Sequence, residues 1–203
     1  MPRNLATLTR HPLGRCGVDG KRAVVLVEGI SDVVALETLA ERRERDLDAE
    51  RIAIVPIGGA HSIGRYIERF GPGGEGLELA GLCDAGEERQ FRRGLERAGL
   101  GSELGRDEME ELGFYVCVED LEDELIRALG AETVEQVLEA HGDLGPFRTL
   151  QKQPAWRRQP LADQLRRFMG SGGRRKIRYA RLLVEALDLA DMPRPLDGVL
   201  AHV

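Results

Sequence analysis

An unbroken, β-branched-rich run, Ala23-Val24-Val25-Leu26-Val27, breaks off at Glu28-Gly29. A strand with one wet face would alternate apolar and polar side chains. A continuous run suits a strand covered on both faces, as in a parallel sheet packed between helices. The next residues agree with that reading. Ser31 is placed to cap a helix and Asp32 falls in its first turn, with Val33, Val34, Leu36 and Leu39 forming the apolar side. The charged stretch 41–48 closes it.

The alternation recurs. Residues 51–57 read as a second strand ending at Gly58-Gly59, and 61–70 as a helix with Ile63, Ile67 and Phe70 on one side. Residues 77–83 read as a third strand ending at Asp84, 87–98 as a polar helix, and 113–118 as a fourth strand running into Glu119-Asp120-Leu121-Glu122-Asp123-Glu124. Such alternation implies right-handed crossovers and an α/β fold: a small parallel four-stranded sheet flanked by helices. Beyond about Gly130 the strand signal disappears, and 131–141, 146–151, 161–169 and 174–188 read as helices or helical turns. The expected organisation is an N-terminal arm over 1–20, an α/β domain over 21–130 and a helical C-terminal subdomain over 131–203.

Composition narrows the class. At 203 residues, 42% hydrophobic and 32% charged, the chain can bury one core and an appended subdomain, and it is not of a disordered type. No apolar run approaches the ~20 residues of a membrane span, and the first twenty residues hold no apolar signal-peptide segment. A cytoplasmic location is expected. Cys16, Cys83 and Cys117 lack the spacing of a zinc site or a disulfide framework, and Cys83 and Cys117 read as small core residues. His11, His141 and His202 form no ligand pattern with them. A net charge of −6 argues against a general nucleic-acid coat, although a local basic stripe can suffice for binding.

Three acidic groups fall at the C-terminal ends of predicted parallel strands: Glu28 with Asp32, Asp84 with Glu87 and Glu88, and the run from Glu119 to Glu124. Open α/β sheets place their sites at those ends. Carboxylates gathered there repel one another unless a cation lies between them, and Mg²⁺ favours a few carboxylates plus water. One or two such ions can activate water and stabilise charge on a phosphate. The plainer alternative is that each acidic residue caps the helix after its strand.

Several of these pieces resemble the TOPRIM fold. Val25-Leu26-Val27-Glu28-Gly29-Ile30-Ser31-Asp32 looks like its first motif, a hydrophobic strand followed by Glu-Gly-x-x-Asp, and Pro56-Ile57-Gly58-Gly59 resembles its second-strand turn. Leu82-Cys83-Asp84-Ala85-Gly86 sits where its Asp-x-Asp motif belongs. Asp120-Leu121-Glu122 resembles the acidic patch after the last strand in nucleases of the overcoming-lysogenization-defect (OLD) group. The segment Ser171-Gly172-Gly173-Arg174-Arg175-Lys176-Ile177-Arg178 resembles the lysine-bearing helix start of the same group.

The resemblance implies a nuclease using Mg²⁺ or Mn²⁺, one or two ions, on DNA or RNA. Under it Glu28 is a metal ligand or general acid/base. Asp32, Asp84 and Glu122 are metal ligands, Asp120 and Glu87 supports, and Lys176 the electrostatic stabiliser. Arg174, Arg175 and Arg178 would join Lys176 in contacting nucleic acid, since basic residues at a helix start oppose its dipole and call for an anionic partner. Many nucleases of the group carry a fused ATPase. No Walker-type signature stands in this sequence, and the glycine-rich stretch Gly71-Pro72-Gly73-Gly74-Glu75-Gly76 reads as a turn, so if ATP matters a separate ATPase partner would supply it. The sequence departs from the pattern at Gly86, where the second Asp is expected, and Glu87 is the nearest carboxylate.

A second reading is therefore a catalytically degenerate module that binds nucleic acid or a partner ATPase. A topoisomerase would need a nucleophilic tyrosine on another domain, and a primase a zinc module, neither of which is evident. His61 reads as a capping or exposed residue. Trp156, in Lys152-Gln153-Pro154-Ala155-Trp156-Arg157-Arg158, reads as a packing residue or as a stacking platform for a nucleic-acid strand.

Overall fold

A computed structural model describes residues 18–203. Most of the expected N-terminal arm, with His11 and Cys16, lies outside the described residues. The apolar run forms β1 (Ala23–Val27), followed by α1 (Ile30–Arg42), β2 (Ile52–Pro56) and α2 (Ile63–Phe70). Then come β3 (Glu78–Cys83), α3 (Glu88–Arg97), α4 (Arg106–Glu111) and β4 (Phe114–Val116). The rest is helical: α5 (Leu121–Leu129), α6 (Ala131–Ala140), α7 (Leu144–Gln151), α8 (Leu161–Met169), α9 (Gly173–Ala186) and α10 (Arg194–His202).

The strands make one parallel sheet in the order β2-β1-β3-β4, with Val27 registered against both Pro56 and Leu82. Successive β1 side chains point to opposite faces, and both faces are covered. Ala23, Val25 and Val27 enter one apolar cluster with α1 and with helices α5 to α10. Val24 and Leu26 enter a second with α2, α3, α4 and the face of β4 bearing Phe114. Every β1 residue is fully buried, which is why the run shows no alternation. The register aligns the C-terminal ends of β1 and β3, so that Glu28 and Asp84 leave the sheet on the same edge.

The fold class is as expected, with local differences. Gly29, rather than Ser31, is the N-cap of α1, and the helix starts at Ile30. The Gly29 N–H donates to the Asp32 carboxylate at 2.8 Å, so Asp32 supplies the capping acceptor and Ser31 is buried in the first turn. The helix expected over 61–70 begins as a 3₁₀ turn, Ala60–Ser62, with His61 exposed. β4 is only three residues long, shorter than expected, and pairs with β3 alone. Directly after it the backbone leaves the ladder, and Asp120 caps α5 through a bond from the Asp123 N–H at 2.9 Å. No helix among the described residues is long and apolar enough to cross a membrane.

Candidate metal centre

Short turns hold the acidic residues at the sheet edge. Glu28 follows β1 directly, and its carbonyl accepts the Gly58 N–H at 3.1 Å, tying the first turn to the β2 turn. Asp84 follows β3, where the Ala85 N–H donates to the Glu119 carbonyl at 2.9 Å and joins the third turn to the β4–α5 connection. Glu122 sits in the first turn of α5. Glu28, Asp32, Asp84, Glu87, Asp120 and Glu122 therefore converge on one edge of the molecule, as the sequence suggested.

Electrostatics reflects the crowding. Burial, followed by a hydrogen bond and repulsion from Glu87, pushes the Glu28 carboxyl up to about 7. Burial, with Asp32 and Glu28 nearby, pushes Asp84 up to about 7. Asp32, 7% exposed, is pushed up to about 6 by burial, against the opposing Gly29 N–H. Burial also raises Glu122, which is 5% exposed, although Lys176 opposes the shift. Carboxylic acids that resist ionisation together are short of positive charge.

Lys176 is the cation that the fold brings to them. It lies in the first turns of α9, and its Nζ stands 3.3 Å from the Glu122 carboxylate. Burial works against the ammonium, but Glu122, Asp32 and Asp84 more than offset it and hold its pKa above the ordinary value. Lys176 thus stays charged at neutral pH, half-buried among acids.

The donors suit a hard divalent cation. All are carboxylate oxygens, and the buried Glu87 Oε2 and Glu122 Oε1 have no hydrogen-bond partner. Among the described residues, however, no three acidic, imidazole or thiol groups already close on one cation-sized position. Glu28 is turned toward Glu87 and Asp84, Glu122 toward Lys176, and Asp32 toward the Gly29 N–H. Side-chain rotation must precede ligation.

The structure also sorts the weaker candidates. Asp120 has two structural partners, the Asp123 N–H and the Arg166 guanidinium at 2.7 Å. Glu87 interacts with Glu28, and Gly86, in the turn between Asp84 and Glu87, leaves open space where a Cβ would stand. Glu88 turns away to Arg106 at 2.8 Å. Of the basic set, Arg174 is exposed. Arg175 stacks on Phe168 at 4.2 Å, and Arg178 pairs with Asp143 at 3.0 Å, so both brace neighbouring helices. Arg166, which the sequence did not single out, adds a second cation at the edge, 3.7 Å from Glu119 as well as bound to Asp120. Its only signal was the Arg166-Arg167 pair on a predicted helix, and the packing of α8 on α5 has no local signature. Cys83 and Cys117 are free and buried, with thiol pKa values raised by burial.

The β2-β1-β3-β4 parallel sheet, with a glutamate after β1 and an aspartate after β3 at its shared edge, is the arrangement that the TOPRIM resemblance implies. A family model described as the overcoming lysogenization defect protein-like TOPRIM domain matches residues 21–83. The C-terminal region of the Xanthomonas campestris pv. campestris OLD protein, phased with platinum, is 26% identical, with a TM-score of 0.70 over 92% of this chain and 93% of that one. The same region phased with mercury gives 26% and 0.68 over 90% and 94%. The C-terminal region of the Burkholderia pseudomallei OLD protein shares the fold at 21% identity, with a TM-score of 0.64 over 90% and 97%. No curated protein matches the chain. Residues 21–83 thus match an OLD-like TOPRIM domain, and the chain as a whole is similar to the C-terminal region of OLD proteins, a likeness that continues through its C-terminal helices.

Proposed function

We propose that this protein is a divalent-metal-dependent nuclease that nicks or cleaves DNA, with RNA as the alternative substrate. The observation that carries the reading is Lys176, which α9 delivers to 3.3 Å from the buried Glu122 carboxylate and near Asp32 and Asp84, while Arg166 pairs with Asp120 at the margin. Glu28, Asp32, Asp84 and Glu122 would hold Mg²⁺ or Mn²⁺, one or two ions, with Glu87 standing in for the carboxylate missing at Gly86 and Asp120 orienting the α5 turn. A bound ion would lower the pKa of a water and offset charge on the phosphate.

The chain's own residues account for the rest. Where Glu28 is not itself a metal ligand, its carboxylate is the group placed to accept the proton of the attacking water. The water oxygen bonds to phosphorus, the bond to the leaving sugar oxygen breaks, and that oxygen takes up a proton. Lys176 offsets the negative charge that builds on the non-bridging oxygens. Arg174, Arg175 and Arg178 would border the approach along α9, and an ATPase is a candidate partner.

Plasmid nicking in Mg²⁺ or Mn²⁺ tests this, comparing wild type with Glu28→Gln and Lys176→Ala. Metal-dependent nicking by the wild type, lost in both variants, is expected. Nicking that survives both would overturn the roles. Two observations favour a second reading: Gly86 lacks a carboxylate, and among the described residues no three groups yet share a cation position. A wild type that binds nucleic acid or an ATPase without nicking would make the chain a degenerate TOPRIM module.

A further inference from the structure

Away from the acidic edge, α7, α8 and the start of α9 enclose an open cavity of about 290 Å³. Its walls include Gln153, Trp156, Arg167, Phe168, Ser171 and Arg175. Arg167 lies over the Trp156 ring at 5.8 Å, and Arg175 over the Phe168 ring at 4.2 Å. Trp156 is partly exposed and stands outside both apolar clusters of the described residues.

The surrounding charge is unusual for this chain. Between residues 152 and 178 there are nine Lys or Arg and one acidic residue, Asp163, within a protein of net charge −6. Only part of that charge is spent on ion pairs: Arg166 on Glu119 and Asp120, Lys176 on Glu122, and Arg178 on Asp143. Arg167 and Arg175 instead present guanidinium planes beside aromatic rings at the cavity.

The cavity adjoins the acidic edge through two helices. On α8, Arg166 pairs with Asp120 while its neighbour Arg167 lines the cavity. On α9, Lys176 pairs with Glu122 while its neighbour Arg175 lines the cavity. Each of α8 and α9 thus carries one basic residue at the acidic edge and its sequence neighbour at the cavity, which ties the two places together through the same pair of helices.

We propose that this cavity takes one unpaired base of the nucleic-acid strand, next to the phosphodiester at the acidic edge, stacked on Trp156 with a flanking phosphate at Arg167 and Arg175. The inference rests on the proposed action on nucleic acid. The chemistry selects the ligand. Guanidinium groups bind phosphate, and aromatic faces bind bases of any sequence. The volume lies at the small end of ligand pockets, ~300–1,000 Å³, and suits a single base. A base inside a duplex offers its edge and not its face, so the site selects unpaired strands, frayed ends or extruded nucleotides.

Trp156 is the only tryptophan in the chain, so its emission reports on this cavity alone. The full chain in Ca²⁺ buffer is titrated with oligo-dT, with anisotropy of a labelled strand followed in parallel. Saturable quenching of Trp156 at the concentrations where anisotropy rises is expected, with weaker quenching by a blunt duplex. Trp156→Ala should weaken strand binding roughly five- to a hundredfold, Trp156→Phe should retain most of it, and Arg167→Ala should weaken it and reduce its salt dependence.

The proposal is overturned if the strand binds without changing the emission, if it does not bind, or if inorganic phosphate alone gives the same quenching. Nicking assays on the same wild type separate the two readings. Quenching without nicking removes the nuclease and keeps the base site, whereas nicking with silent Trp156 removes the base site and keeps the nuclease.

Discussion

Among single residues, Gly86 is the most informative. It sits between Asp84 and Glu87, where a second carboxylate would complete the acidic set, and nothing stands within 4 Å of the position its Cβ would take. Gly86→Asp should therefore fold normally and tighten Mn²⁺ binding, measured by calorimetry. An unchanged affinity would mean that Glu87 already fills the role or that ions do not bind on that side. Lys176→Ala should lower nicking by about 10²–10³-fold, as loss of a preorganised charge at a developing anion does, while Lys176→Arg should restore a part. Most of these residues were legible because motif order along the chain placed them at strand ends. What local pattern could not show was how each side chain is shared. Asp120 and Asp32 proved to be helix caps as well as members of the cluster. Arg166 was invisible, because only the packing of α8 on α5 sets it beside Asp120.

Among elements, α9 links core and site. Leu183 and Val184 are buried in the core cluster where α9 packs on α1, the Tyr179 hydroxyl donates to Asp143 at 2.7 Å, and Lys176 projects from its first turns. Leu183→Ala should destabilise the protein by about 2–5 kcal/mol in urea unfolding, in the range for emptying a fully buried leucine site. A loss below about 1 kcal/mol would show that α9 is not anchored as described. The strands were readable from sequence, since burial on both faces leaves a continuous apolar run. Three helices escape the sequence pattern. α5 starts inside an acidic run that reads as a patch after a strand, α4 is a single polar turn and a half, and α10 has Pro193 as its N-cap and Pro195 in its first turn. In each case tertiary burial of a few residues, Leu121, Met109 or Leu196, decides the matter against a weak local pattern.

For the whole molecule, a cluster of raised carboxyl groups ties stability to pH and to metal. Glu28, Asp84 and Asp32 have folded-state pKa values of about 7, 7 and 6, above their ordinary values. The folded state therefore holds more protons than the unfolded one between about pH 4 and 7. The stabilising contribution is full below the unfolded pKa values and is lost as pH rises through about 6 to 7. For nearly buried Asp32 alone the shift is worth about 3 kcal/mol. In metal-free buffer Tm should rise as pH falls from about 8 to about 5.5. Mn²⁺ should raise Tm much more at about pH 8, where the carboxylates are ionised, than at about pH 5.5. A Tm that falls steadily over that range, or an equal Mn²⁺ effect at both pH values, would contradict this balance. The most direct test of the metal centre is the anomalous map of a Mn²⁺-soaked crystal at about pH 8, where these carboxylates are ionised. At least one peak bound by Glu28 and Asp84 is expected, with Glu122 or Glu87 turned toward it. A map with Mn²⁺ in the soak and no peak at this edge would contradict it.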